Sequence, residues 1–160
     1  MDPLTGIITV KEAGPSFDRE LVSRHYLTIE ARDDLGKGNR NAAQLIVNVN
    51  DVNDNAPVFL QNKYEAVLLE NEEHFESPLT VEAFDIDLNG TKNSEVVYAL
   101  VSGEFSRNFS IDSRRGVIIP TTSLDFEALP ISQGHRETSV RPLRLTVRAR
   151  DMGAPSLSTD

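Results

Sequence analysis

DVNDNAPVF, residues 51–59, crowds four oxygen-bearing side chains, Asp51, Asn53, Asp54 and Asn55, into five positions and then stops at Ala56-Pro57 before the apolar pair Val58-Phe59. Taken singly, an Asn-Asp-Asn run reads as a turn cap or a solvated loop. Its meaning depends on what lies on either side of it.

The flanks repeat one another. LTIEARD at 27–33 returns as LTVRARD at 145–151, 118 positions later. TGIITV at 5–10 answers RGVIIP at 115–120, and FDRE at 17–20 answers LDFE at 124–127, in the same order in both copies. A unit of more than 100 residues can bury its own core, so two tandem domains are expected rather than a solenoid. Pro57 falls where the boundary between the copies is due, which sets the domains at 1–55 and 56–160. Asp18 and Asp33 are 15 residues apart, whereas Asp125 and Asp151 are 26 apart, so the second copy carries 11 extra residues within ALPISQGHRETSVRP, 128–142. Its Pro, Gly and Ser content predicts an exposed loop.

Period-two patterning dominates. In LRLTVRARD, Leu143, Leu145, Val147 and Ala149 share one face, and Arg144, Thr146, Arg148 and Arg150 the other, as in a strand with one buried side. Similar runs predict strands at 7–10, 27–31, 45–49, 64–69, 79–84, 96–101 and 117–119. No segment carries a helical stripe, so the expected class is all-β, a β-sandwich with turn signals between short strands. Asp33 and Asp151 end the repeated strand on the parity of its buried residues, which predicts carboxylates facing inward at a domain tip.

Composition limits the functions open to such a chain. At 39% hydrophobic and 26% charged it is expected to fold. Twenty-five acidic against 16 basic residues, net −9, argue against nucleic acid as a partner and leave room for cations. With no cysteine, neither a disulfide framework nor a thiolate metal site is available. Neither a signal-peptide core nor 18 consecutive apolar residues occurs, so the chain is expected to be cytosolic or a piece of something larger, with no direct membrane contact.

The acids gather at comparable strand ends: Asp18 and Glu20 in FDRE, Asp51 and Asp54 in DVNDN, Asp85 and Asp87 in DIDLNGTKN. All are oxygen donors with no His or Cys beside them, a set that selects a hard cation such as calcium over zinc or copper. DIDLNGTKNSEV imitates a helix-loop-helix calcium loop, with Asp85, Asp87 and Asn89 at positions one, three and five and Gly90 at six. Position twelve is Val96 where a bidentate Glu is required, and the flanks are strand-like, so that reading is rejected. His25, His74 and His135 lack ligand spacing and are expected on the surface, and the Arg144, Arg148, Arg150 stripe is expected to be a solvated strand face. No GxSxG, glycine-rich phosphate loop or HExxH is present, so an enzyme is not expected.

Together DVNDNAPVF, FDRE, EARDD, AFDIDLNGTKN and LTVRARD resemble the motifs of cadherin extracellular repeats, over nearly the whole chain. The resemblance implies tandem Greek-key, immunoglobulin-like β-sandwich repeats, both truncated, joined by a calcium linker. It assigns Asp18, Glu20, Asp51, Asp54 and the Val52 carbonyl as calcium ligands. Asn53, the Asn55 carbonyl, Asp85, Asp87, the Asn93 carbonyl and Asp151 would serve a third ion, Asp87 touching two. Glu70, Asp125 and Glu127 resemble ligands for a following linker, and Asp33 for a preceding one. Phe126 stands where Arg is usual, and Arg115 where Thr usually precedes Gly116. The absence of tryptophan favours long many-repeat cadherins of the Fat, Dachsous or protocadherin kind.

That family implies the extracellular portion of a plasma-membrane protein, with adjacent repeats and a cadherin ectodomain on the same or a neighbouring cell as partners, in calcium-dependent cell–cell adhesion. In that setting Asn108-Phe-Ser and Asn89-Gly-Thr become N-glycosylation acceptors. Two further expectations stand beside it: a secreted enzyme with a purely structural calcium site, and a dimer formed by strand exchange at an open sheet edge.

Overall fold

The computed structural model describes residues 1–11, 14, 16–129 and 142–160. Residues 130–141, most of the expected insertion, and with them His135, lie outside this set. The chain divides into two compact units, Met1–Asp51 and Val52–Asp160.

The first unit is a β-hairpin. Strand β1, Arg24–Arg32, runs antiparallel to β2, Arg40–Asn48, in a register that sets Leu27 opposite Leu45 and Arg32 opposite Arg40. The connecting segment turns through Asp34–Gly36, where Asp34, Leu35 and Gly36 all have positive φ. His25, Ile29, Leu45 and Val47 are half-buried on one face, and His25 meets Phe17 edge-on at 5.1 Å, so this histidine is not a plain surface residue. Asp33 is exposed rather than inward-facing: its N–H closes the hairpin loop on the Asn39 carbonyl, and no second sheet covers the hairpin among the described residues. For the same reason 7–10 is not a strand. Ile7, Ile8 and Val10 are β-prone but have no neighbouring strand to pair with among the described residues, and all three are exposed.

The sandwich is the second unit's. Strands β3 (Val58–Phe59) and β5 (Ala83–Phe84) pair antiparallel; β4 (Leu79–Thr80), β8 (Val117–Pro120) and β7 (Phe109–Ile111) form a sheet in that order; β10 (Ser158–Thr159), β9 (Val147–Arg150) and β6 (Val97–Leu100) form another. Segment 79–84 is therefore two strands in different sheets, with buried Val81 at the crossing. Segment 64–69 supplies only an isolated bridge, Leu68 to Phe75, and Tyr64 spends its hydroxyl on the Glu82 backbone instead. Strands β3, β7 and β10 lie outside the period-two runs of the sequence.

Val81, Tyr98, Phe109, Ile118 and Ala149 make the core, from β6 and β9, from β7 and β8, and from the 79–84 crossing, and Phe59, Phe75, Leu124, Leu143 and Leu145 pack against it. Phe75 stacks on Phe109 at 6.0 Å. The Tyr98 hydroxyl crosses from β6 to β5, accepting from the Ala83 N–H at 2.8 Å. Gly116, at φ +67°, closes the β7–β8 turn with its N–H donating to the Asp112 carbonyl at 2.9 Å, while its carbonyl accepts from Val81 N–H at 3.0 Å; a Cβ there would lie 2.2 Å from the Val81 carbonyl oxygen. Only glycine fits both demands. Among the described residues no helix is long and apolar enough to cross a membrane.

Candidate metal centre

Each unit gathers part of the expected ligand set. In the first, Asp18 is exposed and caps its own turn, Oδ1 accepting from the Leu21 N–H at 2.9 Å. Glu20 and Asp51 are half-buried, and both accept from the Arg19 guanidinium, Asp51 Oδ1 from Nε at 2.5 Å. Burial works against the charge on Arg19. The hydrogen bond to Asp51 and the fields of Asp51 and Glu20 outweigh it and hold the guanidinium above its ordinary range. Arg19 is thus an internal counter-charge that sequence reasoning passed over, although it stands between two assigned ligands in FDRE.

In the second unit the ligand candidates collect at one tip of the sandwich, where β5 ends and β9 runs out. The Asn55 amide donates to Asp54 Oδ1 at 2.9 Å and to Asp87 Oδ1 at 2.7 Å, so one side chain holds two carboxylates together. Asp85 Oδ1 accepts from the Asp87 N–H at 2.9 Å, the short DxD turn that aims both acids from one loop. The Asn93 N–H reaches Thr91 Oγ1, and the adjacent Lys92 carbonyl accepts from Met152 N–H at 3.0 Å, tying the Asn93 loop to the segment after Asp151. The Val52 carbonyl accepts from the Asp54 N–H at 3.1 Å, while the Val52 and Asp54 side chains are exposed.

Asp151 continues the β9 parity into the interior and is fully buried. Its Oδ1 accepts from Gly153 N–H and its Oδ2 from Leu157 N–H, both at 2.9 Å, so the loop 151–157 wraps the carboxylate. The Asn53 amide lies on the same loop, donating to the Pro155 carbonyl at 2.6 Å. The D-x-G-x-P spacing of 151–155 is the signal that could have marked this loop, which sequence reasoning overlooked beyond Asp151 itself.

The donors suit a hard divalent cation. Asp87 is 3% exposed, and its Oδ2, like Asn53 Oδ1, is buried with no hydrogen-bond partner among the described residues. A buried acceptor left in that state costs about 1–3 kcal/mol, more when charged. All the side-chain donors are carboxylate or amide oxygens, the ligand class of calcium. At another place in this unit Glu70, Asp125 and Glu127 each offer an oxygen within 4.8 Å of the others, but all three are exposed.

The acceptor asparagines differ in setting. Asn89 is exposed in its turn, whereas Asn108 is half-buried and donates to Thr122 Oγ1 at 3.0 Å. The Arg148 guanidinium on the polar face of β9 holds Asp160 with two hydrogen bonds, at 2.5 and 2.6 Å. Val96, where a helix-loop-helix site would need its glutamate, packs against the core instead.

Known proteins of one kind resemble this chain. The cadherin domain family model matches residues 64–160. Cadherin-86C of Drosophila melanogaster is 31% identical over 162 residues, covering 97% of this chain and 8% of its own length. Human Cadherin-related family member 2 is 35% identical over 160 residues, covering 99% of this chain and 11% of its own length. The chain therefore spans only a small fraction of the length of these curated relatives. Among solved structures, mouse Cadherin-23 EC22-24 superposes with a TM-score of 0.70 at 28% identity, covering 90% of this chain and 42% of that one.

Proposed function

This chain belongs to the cadherin family, and from that premise we propose that it is a calcium-binding part of an extracellular multi-repeat ectodomain, stiffened by calcium to serve calcium-dependent cell–cell adhesion. The observation that carries the calcium reading is the pair of buried oxygens, Asn53 Oδ1 and Asp87 Oδ2, without a hydrogen-bond partner among the described residues, in a tip otherwise built of oxygen donors. Adhesion, the extracellular location and cadherin partners rest on the family.

In this reading Asn53, the Asn55 carbonyl, Asp85, Asp87, the Asn93 carbonyl and Asp151 hold one ion. Asp18, Glu20, Asp51, the Val52 carbonyl, Asp54 and Asp87 hold others, and the linker runs to residue 55 with the following repeat from 56. Bound calcium supplies positive charge that cancels repulsion among these carboxylates. Each close pair of like charges otherwise opposes assembly by roughly 1 kcal/mol in water and about 4 kcal/mol at a protein surface. The protein's part is to hold the oxygens ready: Asn55 braces Asp54 and Asp87, and the 151–157 loop fixes Asp151. Arg19 must yield Glu20 and Asp51 for those two to become ligands. Outside the cell both Asn89 and Asn108 become glycan acceptors, Asn108 after releasing Thr122.

Small-angle scattering tests the stiffening. The profile is expected to change between chelator and millimolar calcium, with a narrower spread of conformations in calcium. Superimposable profiles would contradict the proposal.

A further inference from the structure

Gly153 does not need to be glycine for its backbone. It is absent from the residues with positive φ, so any L-residue could adopt its conformation. The demand is for space, and it comes from one neighbour. A Cβ on Gly153 would lie 2.3 Å from Cγ, 2.5 Å from Nδ2 and 2.5 Å from Oδ1 of Asn53. These are separations at which something must shift, and the obstructing group is the planar amide itself.

That amide is pinned on one side only. Its Nδ2 donates to the Pro155 carbonyl at 2.6 Å, two residues beyond Gly153, while its Oδ1 is buried and without a hydrogen-bond partner among the described residues. The same Gly153 presents its N–H to Asp151 Oδ1 at 2.9 Å. One residue therefore seats two oxygen donors: its N–H orients the Asp151 carboxylate, and its bare Cα leaves the place where the Asn53 amide lies. We propose that Gly153 is a positioning residue that sets the Asn53 side-chain oxygen beside the Asp151 carboxylate for a divalent cation, a role resting on the calcium reading above. Any side chain at 153 would push the Asn53 amide off the loop, breaking its bond to Pro155 and turning Oδ1 away.

A double-mutant cycle on the full chain tests this, with calcium affinity read by calorimetry and folding read by thermal melting in chelator. Gly153→Ala and Asn53→Ala are each expected to weaken calcium binding about tenfold or more, the usual effect of disturbing a group that orients a ligand. Because both remove the same oxygen, the double variant is expected to bind no more weakly than Asn53→Ala. Losses that multiply, or full affinity in Gly153→Ala, would overturn the proposal. Should Gly153→Ala fail to fold, adding Asn53→Ala is expected to restore folding by removing the group it strikes; failure to restore it would equally overturn the proposal. A wild-type chain that binds no calcium would sink the parent reading alone. The NMR signals of the Asn53 side-chain amide in chelator then still decide, being expected to shift further than those of any other asparagine in Gly153→Ala and to refute the role if they stay put.

Discussion

Asp112 and Asp151 are both held by backbone amides, in opposite surroundings. Asp112 is exposed at the β7–β8 turn, where Oδ1 accepts from the N–H groups of Arg114 and Arg115, both at 2.9 Å. The bond from Arg115 and then that from Arg114 favour the ionised carboxylate and hold Asp112 below the usual aspartate range. A carboxyl depressed in the folded state contributes stability that is complete above its unfolded value of about 3.9 and is lost as the pH falls through the folded value. The stability difference between wild type and Asp112→Asn is therefore expected to be constant from pH 7 to 5 and to shrink below about pH 3.9, as followed by urea unfolding. A difference independent of pH through the acid range would show that the turn does not draw on the charge. Asp151 needs no solvent at all, since both its oxygens are occupied by its own loop. The inward position of Asp151 was legible because alternation from Leu143 onward carried straight through it. Asp33 has the same parity and is exposed, because alternation states which face a side chain takes and says nothing of whether a second layer covers that face.

Strand β8 shows at the scale of an element what alternation decides. Ile118 is 3% exposed, between Leu79 of β4 and Ile111 of β7, whereas its neighbour Ile119 is 54% exposed on the other face. Ile118→Ala is expected to destabilise the second unit by about 2–5 kcal/mol through lost transfer energy and a residual cavity. Ile119→Ala is expected to change it by about 0.5 kcal/mol or less, both measured by chemical denaturation. Equal effects would mean that the two faces are not distinguished as described. The strands foreseen were β1, β2, β6, β8 and β9, from the runs at 27–31, 45–49, 96–101, 117–119 and 143–151. Segment 79–84 alternates too, but the chain passes between sheets at Val81, a tertiary choice that local pattern does not encode. Strands β3 and β10, of two residues each, are too short to carry a period, and three-residue β7 barely exceeds them.

At the scale of the whole chain, two units carry a net charge of −9, and Asp18, Glu20, Asp51, Asp54, Asp85, Asp87 and Asp151 are the acids among the candidate ligands. The oxygen-only character of the candidate donors was readable from the motifs, FDRE, DVNDN and DIDLNGTKN, which place no His or Cys beside the acids. What the sequence could not reveal was the support behind the donors, since Arg19 on Asp51, Asn55 between Asp54 and Asp87, and Gly153 beneath Asn53 are relations made only by folding. Calorimetric titration of the chelator-stripped chain with calcium tests the central claim most directly. Saturable binding is predicted with dissociation constants around 10⁻⁴ to 10⁻³ M, and Asp87→Ala should abolish the tighter part of it. A wild-type chain showing no saturable heat up to about ten times that range would contradict the account.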